Sequence, residues 1–131
     1  MKKDIKFPQI ESVFVSVVRE KDAEQWRVYL LNRSDKNLDT VMVTSKGYGI
    51  KGGEEQKTSV LRHMIPKIEP GEYALIEPID EQVFHLNNEY WVSFFIDGQL
   101  YDKKYIFVPE TIIKENLSYI DELQMEGVLH Q

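Results

Sequence analysis

Tyr90-Trp91-Val92-Ser93-Phe94-Phe95-Ile96-Asp97-Gly98-Gln99-Leu100-Tyr101-Asp102-Lys103-Lys104-Tyr105-Ile106-Phe107-Val108 is a pair of β-branched and aromatic runs that meet at Asp-Gly. Asp-Gly between alternating apolar runs marks a β-hairpin, because both central residues of a type I′ turn need positive φ. A two-residue turn also fixes the register. Ile96 faces Gln99, Phe95 faces Leu100, Phe94 faces Tyr101, Val92 faces Lys103 and Tyr90 faces Tyr105. One face then carries Tyr90, Val92, Phe94, Ile96, Tyr101, Tyr105 and Phe107. The other carries Trp91, Phe95, Leu100, Ile106 and Val108, interrupted by Ser93, Asp102 and Lys104.

An antiparallel sheet wetted on one side alternates apolar and polar residues. This hairpin is apolar on both sides, so its second face calls for a cover. The chain offers one candidate. Between residues 110 and 127 the period changes, and Ile112, Ile113, Leu117, Ile120 and Leu123 fall on one helical arc. Ser118 with Asp121 fits a weak capping pair, and Gly127 before Val128 fits a helix stop. The spacing predicts a C-terminal helical segment, or two short ones, over 110–127, packed on the sheet or on a partner. The other candidate cover is a second protein chain, since large exposed apolar patches mark interaction sites.

Upstream, the period of two recurs. Val13, Val15 and Val17 alternate with Phe14, Ser16 and Val18 over 12–19, and Trp26, Val28 and Leu30 alternate with Arg27, Tyr29 and Leu31 over 25–32. The charged link Glu20-Lys21-Asp22-Ala23-Glu24 is short enough for a hairpin. Turn formers come next, at Asn32-Arg33-Ser34-Asp35-Lys36-Asn37. Further strands are predicted over 38–44, 57–65 and 73–77, the last ended by Pro78. The stretch 45–55 holds four of the seven glycines and reads as a mobile loop. The stretch 80–89 reads as a loop or short turn.

About seven short strands with turns between them predict a mainly β, two-sheet antiparallel sandwich. The order of features resembles the immunoglobulin-like sandwiches of many bacterial proteins. In those an Asn-x-Ser turn precedes a strand, a mobile loop comes after it, and a Pro-Gly-Glu turn introduces the next strand. The matching residues are Asn32-Arg33-Ser34, then Leu38 and Val41, then Ile68-Glu69-Pro70-Gly71-Glu72, within residues 12–108. The resemblance implies a fold at superfamily level and a corner tyrosine at Tyr90. It implies no activity.

The 131 residues are read as a single domain, with the sandwich over 10–109. Hydrophobic residues make up 42% and charged residues 29%, a balance that builds a core. The absence of cysteine excludes disulfides, thiolate metal sites and cysteine nucleophiles, and fits a reducing, cytoplasmic setting. The net charge of −6 gives no general attraction to nucleic acid or to an anionic membrane surface. Lys2 and Lys3 resemble the start of a secretory leader, but Pro8, Gln9 and Glu11 interrupt the apolar segment that a leader needs next. No apolar stretch approaches the roughly 20 residues of a membrane span.

Chemistry is sparse. Gly47-Tyr48-Gly49-Ile50-Lys51-Gly52 matches G-x-G-x-x-G, yet that motif works at a strand-to-helix turn, and the segment after it is β-like. A flexible strand connection is the simpler reading. His63, His85 and His130 stand far apart, and His85 with Asp80, Glu81 or Glu89 is a loose metal set that chance supplies in acidic proteins. No G-x-S-x-G elbow presents a serine. No cofactor is expected.

The leading expectation is a non-enzymatic module for protein contact, self-association included, anchored by Trp91, Phe95 and Leu100. The alternative is a small-ligand or carbohydrate binder that uses the glycine-rich stretch 45–55 through Tyr48, Gly49 and Lys51. A hydrolase built on surface carboxylates or His85 ranks third.

Overall fold

The computed structural model describes residues 11–20 and 25–130. The leader-like start and the link 21–24 lie outside them. In chain order the strands are β1 (Val13–Glu20), β2 (Gln25–Asn32), β3 (Leu38–Lys51), β4 (Glu54–Lys57), β5 (Leu61–Ile68), β6 (Tyr73–Ile79), β7 (Asn87–Ile96), β8 (Gln99–Phe107), β9 (Ser118–Ile120) and β10 (Met125–His130). Two antiparallel sheets face each other. The first has the order β6-β2-β1-β10-β9, and the second the order β4-β3-β7-β8, with β5 also paired to β3. The result is a two-sheet sandwich whose shape is consistent with the immunoglobulin-like superfamily.

The strand alternation decides what is inside. Val13, Val15 and Val17 of β1, Val28 and Leu30 of β2, and Val41 and Val43 of β3 pack against Tyr90, Val92, Phe94, Tyr105 and Phe107. The β7–β8 register is the one the Asp-Gly turn dictates, from Ile96↔Gln99 to Tyr90↔Tyr105. Asp97 and Gly98 both have positive φ, 49° and 80°, as a type I′ turn requires.

The C-terminal helix over 110–127 is not there. Among the described residues the only helical pieces are single 3₁₀ turns at Glu81–Val83 and Lys114–Asn116. The misleading periodicity has a local cause. Around Lys114–Asn116, the Asn116 amide donates to Ile113 and the Leu117 amide to Lys114. In the β9–β10 turn, the Leu123 and Gln124 amides both donate to the Ile120 carbonyl, at 3.2 and 2.9 Å. Two isolated turns thus place apolar residues at helical spacing with no helix between them. Gly127 is no helix stop either. A Cβ there would stand 2.8 Å from Ser16 Oγ and 2.9 Å from both Ile120 Cδ1 and the Val17 carbonyl, so glycine lets β10 lie against β1.

The hairpin that replaces the helix covers the other sheet. Ile120 and Leu123 fold over Val18, Tyr29 and Leu31 on the outer face of the first sheet, with Phe14, Met125 and Leu129 at the margin. Arg33 clamps this flap to the body through two bonds to Glu122, Nε to Oε2 at 2.7 Å and Nη2 to Oε1 at 2.9 Å.

The glycine-rich stretch is also strand, not loop. β3 runs through Gly47 and Gly49 to Lys51, and Gly52-Gly53 makes a tight turn into β4. With no strand-to-helix turn, the G-x-G-x-x-G match has none of the geometry that cradles a pyrophosphate. The strand predicted over 57–65 starts later, as β5, with β4 before it and residues 58–60 between them outside strand; both pair with the same edge of β3. Pro66 and Pro78 lie in β5 and β6, strands at sheet edges, where a missing N–H is tolerated.

Candidate functional site

Two places present chemistry that the fold alone does not use. The first is the outer face of the second sheet. Cross-strand pairing lays its residues in rows. Met64, Met42, Ser93 and Asp102 form one, and Arg62, Thr44, Trp91 and Lys104 the next. Flanking these are a row of Asp39, Phe95 and Leu100 and a row of Lys46, Glu89 and Ile106. Trp91 is 46% exposed, Met42 50%, Leu100 54% and Met64 66%, while Phe95 is half-buried. Lys104 places its ammonium 4.8 Å above the Trp91 ring, a cation–π contact that leaves the indole at the surface. Glu89, engaged by Tyr48 and Lys46, is the buried member of these rows.

The loop candidates Tyr48, Gly49 and Lys51 lie on the same long strand. Tyr48 donates its hydroxyl to Glu89 Oε1 at 3.2 Å, and burial, with that carboxylate, raises its pKa. Lys46 completes the group, 3.6 Å from Glu89 Oε2 and 5.8 Å over the Tyr48 ring. Gly49 packs near Leu86, and Lys51 is exposed at the hairpin tip beside Glu54.

The second place has no counterpart among the sites expected from sequence. Glu77 of β6 projects between the sheets, its side chain 11% exposed. There it gathers a group from three strands of the opposite sheet. Ser45 Oγ donates to Glu77 Oε1 at 2.7 Å, His63 Nε2 lies 2.7 Å from the same oxygen, and the Tyr90 hydroxyl donates to Oε2 at 3.2 Å. Tyr90 is thus tied to a carboxylate, and the tyrosine that bonds a main-chain carbonyl is Tyr105, at 2.6 Å from the Val13 oxygen. Burial first, then Glu77, holds the Tyr90 hydroxyl well above the usual tyrosine pKa, so it stays a donor.

The order of this cluster matters. A nucleophilic relay needs imidazole between hydroxyl and carboxylate. Here the carboxylate stands between Ser45 and His63, so the Ser45 proton is directed at Glu77. Beside the cluster opens a cleft of about 260 Å³, lined by Ser45, Gly47, Thr58, Asp80, Asn88 and Tyr90 among others.

His85 meets none of the carboxylates proposed to share a metal with it. Its Nε2 lies 2.7 Å from Gln56 Oε1, while Glu81 accepts from the Trp26 indole and Glu89 serves Tyr48 and Lys46. Among the described residues no group of three His, Asp or Glu side chains is arranged to hold a metal ion, and no helix is long and apolar enough to cross a membrane. The sequence did hold one sign of the Glu77 cluster. Period-two alternation put Tyr90 inside, and an inward tyrosine needs a partner for its hydroxyl. Comparison with protein-family models, curated proteins and solved structures finds no match to this chain.

Proposed function

We propose that this domain is a non-catalytic contact module whose working surface is the outer face of the second sheet, and that its partner there is a second copy of the chain. The observation that carries the reading is asymmetric cover. The C-terminal hairpin shields Val18, Tyr29 and Leu31 on the outer face of the first sheet and leaves Tyr73 and Leu75 exposed at its β6 edge, while Met42, Met64, Trp91 and Leu100 stay exposed on the second. Aromatic residues within an apolar patch are favoured contact anchors.

The pattern of the rows favours self-pairing. A two-fold axis across the strands, between the Trp91 row and the Ser93 row, lays each row over the other in the facing copy. Asp102 then meets Lys104, and bulky Trp91 meets small Ser93. One step out, Leu100 meets Ile106 and Asp39 meets Lys46. Strands remain aligned, as in face-to-face sheet packing. An axis along the strands would instead set Arg62 against Lys104, like charge on like.

Charge exchange tests this arrangement. Lys104→Glu is expected to weaken the dimer, and adding Asp102→Lys to restore it, read as mass in sedimentation equilibrium. Equal weakening by the single and double variants would refute the two-fold geometry.

A further inference from the structure

Most of the side-chain donors that line the cleft beside Glu77 are already committed. The Ser45 and Tyr90 hydroxyls both donate to Glu77, and the Thr58 hydroxyl donates to the Ser59 carbonyl. The Gly47 amide is taken by Thr58 Oγ1 at 2.7 Å. Asn88 is buried, 5% exposed, and its Nδ2 is spent on the Val83 and Leu86 carbonyls at 3.0 and 3.2 Å. Those two acceptors fix the amide orientation, so Oδ1 is the atom left over, with no donor among the described residues. Asn88 is among the residues that line the cleft, beside Thr58, whose methyl would stand 2.9 Å from a Cβ on Gly47. A buried acceptor without a donor is destabilising unless water or a ligand supplies one.

Charge points the same way. Glu77 and Asp80 line the cleft, and no arginine does. Lys46 contributes wall, but its ammonium is directed to Glu89 and the Tyr48 ring. Pro78, Ile79, Val83 and Leu61 give the apolar remainder. The volume of about 260 Å³ equals roughly eight or nine water volumes of ~30 Å³ each, room for a compact molecule of few heavy atoms.

We infer that this cleft is a binding site for a small organic ammonium ion, which donates N–H to Asn88 Oδ1 and to the carboxylates of Glu77 and Asp80. An anion would face two carboxylates, with the Ser59 hydroxyl the one lining side-chain hydroxyl not already donating. A neutral polyol could donate but would leave the charge of the cleft unanswered. The cleft shares only Lys46 with the rows of the contact face.

Putrescine, a diamine, is a suitable probe for titration of the full chain followed by ¹H–¹⁵N correlation spectra, with glucose and inorganic phosphate as comparators. Putrescine is expected to shift the amides of Ser45, Gly47, Thr58 and Asn88 together and saturably, with phosphate and glucose inert. Asp80→Asn keeps the side-chain cap that Asp80 gives the Gln82 amide while removing the charge, so the fold survives. It is expected to weaken putrescine roughly fivefold, a loss suited to one partly screened charge. Glu77→Gln, if it folds, is expected to weaken it further. Shifts scattered over the acidic surface, no shift at all, the same set produced by glucose or phosphate, or an affinity unchanged in Asp80→Asn would each overturn the site.

Discussion

Asn32 shows how one side chain closes a junction between sheets. It is fully buried, and every polar atom it owns is engaged. Nδ2 donates to the Lys36 and Ile68 carbonyls at 2.8 and 2.9 Å, and Oδ1 accepts from the Ser34 amide and hydroxyl. Its main chain meets the 69–72 turn through Glu72 and Gly71. Asn32→Ala leaves several of these groups without partners, so a loss of roughly 3 kcal/mol is expected in urea unfolding. Gly127→Ala presses a methyl against Ser16, Ile120 and a Val17 carbonyl, and a loss of about 1–3 kcal/mol is expected by the same measurement. Asn32 is legible in the sequence, because an Asn-x-Ser turn is local chemistry. Glu77 is not, since its partners Ser45, His63 and Tyr90 come from three strands that only the tertiary fold brings to it.

At the scale of elements, what the sequence discloses depends on how local each element is. The β7–β8 hairpin is readable to the residue, because Asp97-Gly98 fixes both turn and register. The β9–β10 hairpin is not. Its four-residue turn winds one helical turn about the Ile120 carbonyl, and that imitates a helix in the apolar spacing. The β3–β4 turn at Gly52-Gly53 is lost in a stretch of glycines whose other members, Gly47 and Gly49, sit within a strand because Thr58 and Leu86 crowd them. The C-terminal flap is held by a pair whose strength depends on pH. Arg33, through its hydrogen bonds, holds the Glu122 carboxyl below the usual glutamate pKa. A carboxylate depressed in the folded state contributes stability above its unfolded pKa and loses it as pH falls through the folded value. Arg33→Gln is therefore expected to lower the urea midpoint at neutral pH, by ~0.5–1 kcal/mol for a partly exposed bidentate pair. The gap to the unaltered chain is expected to close in acid. A gap that persists once Glu122 is protonated would mean that Arg33 acts by packing on Phe14, over whose ring it lies at 5.1 Å.

Among the described residues, the two sheets of the sandwich are covered unequally on their outer faces. Both sheets carry apolar residues on their outer faces, and the chain's own hairpin reaches only the first, at Val18, Tyr29 and Leu31. The apolar second face of the β7–β8 hairpin is legible in sequence, but which element covers which sheet depends on β10 pairing with β1, a contact across most of the chain. That pairing carries the C-terminal residues to the first sheet and away from Trp91, the face on which the proposed second copy would dock. Sedimentation equilibrium of the unaltered chain beside Trp91→Ala bears on this most directly. The expected result is a dimer that Trp91→Ala weakens by about 2 kcal/mol or more, roughly thirtyfold in dissociation constant. A mass of one chain for both proteins across the micromolar range, or a dimer that Trp91→Ala leaves untouched, would contradict it.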